Sequence, residues 1–390
     1  MMHESHGISH GRDIHGTPHW LVTRYACGEA LLTDERLRND MDRWARPEQL
    51  RASWLAPDVR PKLGRLMLFT DDPDHARLRR LIAPAFTSHR TQALRGLVQD
   101  EADRLVRGLV RSGGTAELVE DFAYPFAVET LCRSAGFPAD FGRRYLRRPL
   151  FTAGMTAVPV GSPERDVNAA NHRELIALLE DVIEAKRRRP DADLVSALVE
   201  AEGRPDGLSR DELTAALGQL VIAGMESVAR FVAQAVLVLL DHPDQLADLR
   251  AHPDLAPLAT EELLRFVTPN RQASPRYPAE PIEACGVSLA PHDKLCVMLR
   301  DANRDPLRFT DPDRLDLRRD EGPHLSFGKG AHRCPASGLA ALESQIALTS
   351  LLRALPGLRL AVPRGDIDTQ DHLPILGGPV AVPVAWNPRR

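Results

Sequence analysis

Apolar residues recur at spacings of three and four through most of the middle of the chain, which is typical of helices with one buried face. The pattern is longest in residues 90–113, 168–189 and 209–243. The third segment opens with a capping box, Ser209 and Glu212, and ends at a histidine–proline pair. It should form a helix of ~45 Å. Because this helix is apolar on most faces towards its end, we expect it to run through the centre of the molecule.

Strand signals cluster near the start of the chain, in residues 19–26, and in its later part, in residues 282–300 and 373–386. The sequence therefore predicts a mainly α fold, in which a long central helix is accompanied by small peripheral β-sheets. We expect residues 20–390 to form a single domain. Residues 1–19 carry five histidines. We expect this segment to be a disordered tail rather than a metal site, since no other ligand type recurs with the histidines.

Composition and charge exclude several classes of protein. The 390 residues carry a net charge of −4, which argues against a nucleic-acid partner. The first residues have no apolar core and do not resemble a signal peptide, and the longest apolar run, residues 235–240, is too short to span a membrane. We therefore expect a cytoplasmic protein without a membrane partner.

The five cysteines are scattered and form no CxxC pair, which favours a reducing compartment and no disulfides. Four of them have apolar neighbours and are expected to be inert core thiols: Cys27, Cys132, Cys285 and Cys296.

The fifth cysteine, Cys334, lies in the stretch HLSFGKGAHRCPASGLAALE, residues 324–343. The glycines suggest a dinucleotide loop, but Arg333 occupies the third glycine position. A nucleophilic cysteine would need a base, and the signatures of cysteine enzymes are absent. A metal ligand is the third interpretation, because the start of a helix favours a thiolate. One thiolate is too few for zinc, but it suffices for haem iron, to which the macrocycle contributes four ligands.

This stretch resembles the haem-binding signature of the cytochrome P450 family. The matching residues are Phe327, Gly328, Gly330, His332, Cys334, Leu339, Ala340 and Glu343. The chain departs from the signature at Ala336 and Ala341, where the family usually has glycine and arginine. The resemblance implies a P450-type domain that holds haem b between the central helix and the helix after Cys334. Cys334 would be the iron ligand, and Phe327 and Gly328 would contact the cofactor.

Other segments extend the resemblance. Glu262 and Arg265 match the family's Glu-x-x-Arg, which together with Arg314 would form a buried Glu–Arg–Arg triad. Four further residues align with the groups that bind the haem propionates in the family: His75, Arg79, Arg276 and His332. Each of the four, taken alone, would more often be a solvated surface charge, and it is their occurrence together in one matched pattern that favours contacts with the propionates.

The central helix contains Ala-Gly-Met-Glu-Ser, residues 223–227, which is similar to the family's oxygen-side motif. The resemblance implies that Glu226 and Ser227 relay protons, and that the helix widens locally around Gly224. Serine replaces the usual threonine, so the hydroxyl is kept but its rotamer is less restricted. The alternative for Glu226 is a structural buried acid paired with an arginine.

The function that the resemblance implies is a haem-thiolate monooxygenase that inserts one oxygen atom from O2 into a small, largely apolar molecule in secondary metabolism. The chain has no flavin or nicotinamide motif, so a ferredoxin would supply electrons, docking at Lys329, Arg333, Arg77 and Arg80. A substrate bound to a carrier protein would meet the arginines between residues 143 and 148. The alternatives are oxidative coupling or desaturation on the same fold, and a non-catalytic haem-binding relative that acts as a partner protein.

Overall fold

The structure, a computed structural model, describes residues 7–13, 16–51, 55–146, 161–370 and 375–387. The helices are α1 Tyr25–Thr33, α2 Met41–Trp44, α3 Pro47–Arg51, α4 Arg60–Leu63, α5 Asp74–Ile82, α6 Ser88–Ala93, α7 Arg95–Arg111, α8 Tyr124–Ala135, α9 Phe141–Leu146, α10 Pro163–Arg188, α11 Leu194–Glu200, α12 Arg210–Asp241, α13 Pro243–Ala251, α14 Ala256–Val267, α15 Leu299–Ala302 and α16 Ser337–Ala354. The strands are β1 Ile8–Arg12, β2 Pro18–Val22, β3 Leu37–Arg38, β4 Thr115–Glu117, β5 Tyr277–Pro278, β6 Ile282–Ala284, β7 Val287–Leu289, β8 Leu295–Val297, β9 Arg359–Leu360 and β10 Pro383–Ala385.

Helix α12 is the predicted central helix. It has 32 residues and begins at the predicted capping box, in which both reciprocal hydrogen bonds between Ser209 and Glu212 are formed. It packs against α4, α8, α10, α14 and α16, and contributes residues to two apolar cores. In length and apolarity α12 could cross a membrane, but 72% of its most apolar window is buried inside the protein, as expected of a core helix.

The strands form small separate sheets. The first has the order β1-β2-β8, with β1 antiparallel and β8 parallel to β2. The others are β4-β10-β9, β3-β5 and β6-β7. Strand β1 lies inside the segment that we expected to be disordered, so that expectation is wrong for Ile8–Arg12. The pairing with β2 satisfies its backbone, and Ile8 is only 1% exposed in the core beneath the sheet.

Two of the cysteines correct the prediction that the chain has no disulfide. Cys27 of α1 and Cys285 of the β6–β7 turn form a disulfide, with Cα atoms 5.9 Å apart. The two residues are 258 positions apart, so only the fold shows that they meet. Cys132 and Cys296 are buried free thiols, as expected, and burial raises the pKa of Cys132 to about 12.

The buried Glu–Arg–Arg triad is present, but its third member differs from the prediction. The side chain of Glu262 is 1% exposed and accepts two hydrogen bonds from Arg265, at 2.6 and 2.9 Å. Its other arginine is Arg319, whose Nε donates at 3.2 Å, whereas Arg314 is exposed. The backbone N–H of Asp316 also donates to Glu262, so a turn after that residue brings Arg319 back to the carboxylate.

Candidate active site

A cavity of about 520 Å³ lies beside the middle of α12 and the loop that precedes α16. The residues that line it come from most of the chain, from Arg12 to Leu376, and include both Ser227 and Cys334. The fold therefore brings the predicted iron ligand and the predicted relay alcohol to one enclosed space.

The loop before α16 is held in one shape by close backbone contacts. Gly328 and Gly330 have φ of 68° and 71°, in the left-handed region that favours glycine. A Cβ on Gly330 would lie 2.6 Å from the carbonyl oxygen of Leu32 in α1, so no side chain fits there. The Cys334 N–H donates to the Phe327 carbonyl at 2.9 Å. These contacts fix the direction in which the Cys334 side chain leaves the backbone.

Opposing effects act on the pKa of the Cys334 thiol. Burial raises its pKa, while the N–H of Ala336 and the charges of Arg333 and Arg79 oppose that rise. Pro335 has no N–H, so the hydrogen bond to sulfur comes from Ala336. These neighbours favour a thiolate once a cation replaces the proton.

The four predicted propionate groups all line the cavity. His75 and Arg79 come from α5, Arg276 precedes β5, and His332 belongs to the loop before α16. The rings of His75 and His332 are 4.1 Å apart. Burial, followed by the positive charges of Arg276, His75 and Arg79, lowers the pKa of His332 to about 2. His332 therefore presents a neutral ring, which can take part in hydrogen bonds, to the cavity.

Two of these groups are buried and have capacity for a further polar partner. His75 Nε2 is buried and has no hydrogen-bond partner among the described residues, and Arg276 donates only to neutral oxygens of residues 274 and 275 there. Arg276 is 4% exposed and, within the described ranges, has no carboxylate partner, and burial lowers its pKa to about 10. A buried cation and an unpaired ring nitrogen beside one cavity fit an anionic ligand group.

The predicted oxygen-side motif adopts a regular helix. Helix α12 is continuous through residues 223–227, so the local widening that we expected around Gly224 is not present. The Ser227 hydroxyl donates to the Ala223 carbonyl at 2.6 Å, one turn back along the helix. A Cβ on Gly224 would meet Leu131 at an ordinary 3.5 Å, so packing there does not require glycine.

Glu226, the other predicted relay residue, does not line the cavity. Its buried carboxylate lies between α12 and α8, where Oε2 accepts from the hydroxyl of Tyr124 at 2.6 Å and from Nε of Arg230 at 3.4 Å. This matches the alternative of a buried acid with an arginine partner. Tyr124 was missed because it lies 102 residues away, and its only signal is that a buried tyrosine hydroxyl needs a partner.

The family resemblance predicts that the substrate is surrounded by residues 42–66, 151–163, 221–225, 268–274 and 375–378, and part of these segments lines the cavity. The cavity is lined by Gln49, Ile222, residues 269–270 and 272–274, and Ile375, whereas residues 151–160 lie outside the described residues. Trp44 does not line it, because its indole N–H donates to Asp71 at 2.9 Å, and Trp54 is not described. Most of the remaining lining is apolar.

Comparison with known proteins gives the family. The family model described as Cytochrome P450 matches residues 163–377. The mycinamicin IV hydroxylase/epoxidase of Micromonospora griseorubida is 35% identical over 390 residues, which cover 99% of this chain and 94% of that protein. The chain belongs to the cytochrome P450 family.

Other P450 proteins resemble the whole chain in sequence and in fold. The 6-deoxyerythronolide B hydroxylase of Saccharopolyspora erythraea is 34% identical over 373 residues, covering 92% of this chain and 90% of that protein. The crystal structure of P450BioI, in complex with acyl carrier protein ligated to hexadec-9Z-enoic acid, superposes with a TM-score of 0.87 at 30% identity, covering 98% of this chain and 96% of that one. The predicted P450 fold is confirmed, and the chain is an oxidoreductase of the P450 monooxygenase class.

The P450 family implies a haem cofactor, and the cavity fits one. Haem carries an iron that accepts a thiolate and two carboxylates that require cations or hydrogen-bond donors. Cys334 supplies a thiol at the cavity. Arg276 supplies a buried positive charge, and His75 supplies a ring nitrogen, Nε2, that has no hydrogen-bond partner within the described part of the chain.

Proposed function

We propose that this P450 inserts one oxygen atom from O2 into a small, largely apolar molecule of secondary metabolism. The observation that carries the proposal is the placement of Cys334, which lies on a rigid loop at a mostly apolar cavity, where buried Arg276 and His75 can bind an anion. The relatives named mycinamicin IV hydroxylase/epoxidase and 6-deoxyerythronolide B hydroxylase support oxygen insertion into such a molecule.

Haem b is the proposed cofactor. Residues 20–390 are proposed to form the single domain that binds it. Cys334 would hold the iron, with the Ala336 N–H donating to its sulfur. His75, Arg79, Arg276 and His332 would bind the propionates, where Arg276 contributes charge and neutral His332 a ring nitrogen. Phe327 and Gly328 line the same cavity. When bound, haem would supply the iron at which O2 is activated, a process that consumes two electrons from the donor.

Ser227 is the proposed relay alcohol, because its hydroxyl is at the cavity wall. It now donates to the Ala223 carbonyl, and it can pass on a proton after rotating away from that carbonyl. Glu226, the neighbouring residue, is the proposed source of protons, although its carboxyl first has to leave the contacts between α12 and α8. Around the substrate, Gln219, Asn270 and Gln272 add amide groups to the apolar lining and would orient oxygen atoms of a mid-polarity molecule.

A ferredoxin is the proposed electron donor, bound to the surface next to Cys334. Arg80 and Arg333 are exposed and have no ion-pair partner among the residues that the structure describes. Arg77 is engaged with Glu212, and Lys329 with Glu29 at 2.8 Å. The proposed docking surface therefore consists mainly of Arg80 and Arg333. We also propose that the enzyme, like this donor, is in the cytoplasm.

A carrier-bound substrate is a second possibility for delivery, favoured by the carrier complex of P450BioI. The arginines proposed for this contact are only partly free. Arg144 pairs with Asp181 at 2.7 Å, Arg143 is exposed, and residues 147–148 lie outside the described ranges.

The cofactor assignment is tested by the absorption spectrum of the reduced, CO-bound protein. The wild type should show the long-wavelength Soret band of thiolate ligation, and Cys334→Ala should lose it. Cys132→Ala is the matched control, because it removes another buried free thiol that does not line the cavity. An imidazole-type band in folded wild-type protein would refute the assignment.

The reaction type is tested with isotopically labelled O2 and a substrate found by screening for shifts of the ferric haem spectrum. Monooxygenation places one labelled atom in the product. A product without label would instead indicate coupling or desaturation, and absence of any reductant-dependent turnover would favour the non-catalytic relative.

A further inference from the structure

The environment of Glu226 contains one strong and one weak contact. The Tyr124 hydroxyl donates to Oε2 at 2.6 Å, whereas Arg230 reaches the same oxygen at the long distance of 3.4 Å. The other oxygen, Oε1, is buried and has no hydrogen-bond partner among the residues that the structure describes. Tyr124 is 3% exposed and is fixed at the start of α8, which packs along α12. The direction in which the carboxyl points is thus determined mainly by one tyrosine hydroxyl.

This direction has a consequence for proton delivery. The bond to Tyr124 keeps the carboxyl on the α8 side of α12, while the adjacent residue, Ser227, lines the cavity. Glu226 can approach the cavity only after the hydrogen bond to Tyr124 breaks. The unpartnered Oε1 reduces the cost of that movement, because only one of the two oxygens is held well.

We propose that Tyr124 is a positioning residue that holds the Glu226 carboxyl in a stored orientation, from which it is released to deliver protons through Ser227. The proposal rests on the proposed monooxygenase function, to which it adds the control of the proton source. Tyr124 is not among the described residues that line the cavity, and its hydroxyl bonds to Glu226, so it acts on the relay through Glu226.

The charges around Glu226 predict how the carboxyl should respond. Burial raises its pKa, and the charge of Arg230 with the hydrogen bonds from Tyr124 and Arg230 opposes that rise. Burial, with the nearby Glu226 charge, keeps the pKa of Tyr124 well above its usual range, so Tyr124 remains a donor. In the described residues, Arg230 on α12 and Tyr124 on α8 are the groups that act on Glu226, and Tyr145 of α9 acts on Tyr124. Removing the tyrosine hydroxyl should therefore raise the pKa of Glu226 further.

The direct test is an infrared titration of the protonated carboxyl band in the full chain. The band is assigned by its loss in Glu226→Gln, which separates it from the buried carboxyl of Glu343. In Tyr124→Phe the midpoint should rise by roughly one pH unit, a tenfold change worth about 1.4 kcal/mol. Fluorotyrosine placed at position 124 is a stronger donor of nearly the same shape, and it should lower the midpoint.

Tyr145→Phe is the control, because it removes a neighbouring buried hydroxyl that does not bond to Glu226. An unchanged midpoint in both position-124 variants, or an equal shift in Tyr145→Phe, would overturn the proposal. If Tyr124→Phe does not fold, the fluorotyrosine variant alone decides it.

Turnover gives a second readout. The alkaline limb of the pH profile of product formation should move up in Tyr124→Phe by as much as the infrared midpoint. In a Ser227→Ala background Tyr124→Phe should no longer change the fraction of electrons lost as peroxide, because both residues act on one relay. Additive effects would contradict the proposal. Failure of the monooxygenase function would show instead as a wild-type product without label from O2, which leaves the infrared result interpretable.

Discussion

Glu262 is the residue whose replacement should affect stability most clearly without touching the cavity. Its carboxylate is buried with two guanidinium groups, those of Arg265 and Arg319, whose side chains are 2% and 7% exposed. Glu262→Gln keeps the shape but leaves both cations beside a neutral amide. Removal of one partner from a buried ion pair costs ~3–5 kcal/mol. We expect the lower end, because Arg265 also donates to the carbonyls of Asn303 and Pro312 at 2.8 and 3.0 Å.

The magnitude converts into a measurable shift. The entropy of unfolding for a chain of this length is about 0.8 kcal/mol per kelvin, so a loss of 3 kcal/mol lowers the Tm by about 4 °C. Urea denaturation followed by circular dichroism should give the same loss in the free energy of unfolding. The control is Glu261→Gln, one position away, where the side chain is 55% exposed and pairs with His324 at 3.2 Å. That variant should lose less than about 1 kcal/mol.

Equal losses in the two glutamate variants would refute the argument that burial of the pair determines the cost. The identity of the third member is tested in the same assay. Arg319→Ala should destabilise the protein, because it removes a guanidinium bonded to Glu262, whereas exposed Arg314→Ala should be close to neutral. The opposite order would restore the triad that the sequence motif predicted.

Two further predictions concern the disulfide and a buried acid. Cys27→Ser should lower the free energy of unfolding by about 2–5 kcal/mol, because the bond to Cys285 closes a long loop of the unfolded chain. If neither this change nor a thiol reductant alters the denaturation midpoint, the bond does not form. Burial raises the pKa of Glu343 to about 8, so the folded state keeps a proton that the unfolded chain loses near its usual pKa of 4.5. The free energy of unfolding should therefore fall as the pH rises from about 4.5 to 8, and Glu343→Gln should reduce that fall; equal pH dependence in both proteins would contradict the assignment.

Local patterns in the sequence predicted the features that are themselves local. The capping box at Ser209, the length of α12 and the strands around residues 282–297 follow from residue order and period alone. The loop before α16 was predictable for the same reason, since its glycines and Cys334 are close neighbours in the chain. The family resemblance then identified the cavity residues on α5 and before β5. Their spacing along the chain would not have related them to each other or to Cys334.

The features that the sequence did not predict depend on contacts between distant segments. Cys285 meets Cys27 through a pairing of separate peripheral elements, and Arg319 rather than Arg314 reaches Glu262 because of one turn of the backbone. Tyr124 reaches Glu226 only because α8 packs along α12. The regular path of α12 at Gly224 was also unexpected, since a glycine inside a helix does not by itself show whether the helix widens.

The spread of the cavity lining along the chain affects how the protein is made. Segments from Arg12 to Leu376 contribute to the wall, and the proposed iron ligand is at position 334. A ribosome-bound chain therefore has no complete site until almost all of it has emerged. Cofactor loading should follow synthesis, and the supply of haem at that moment should set the fraction of chains that mature.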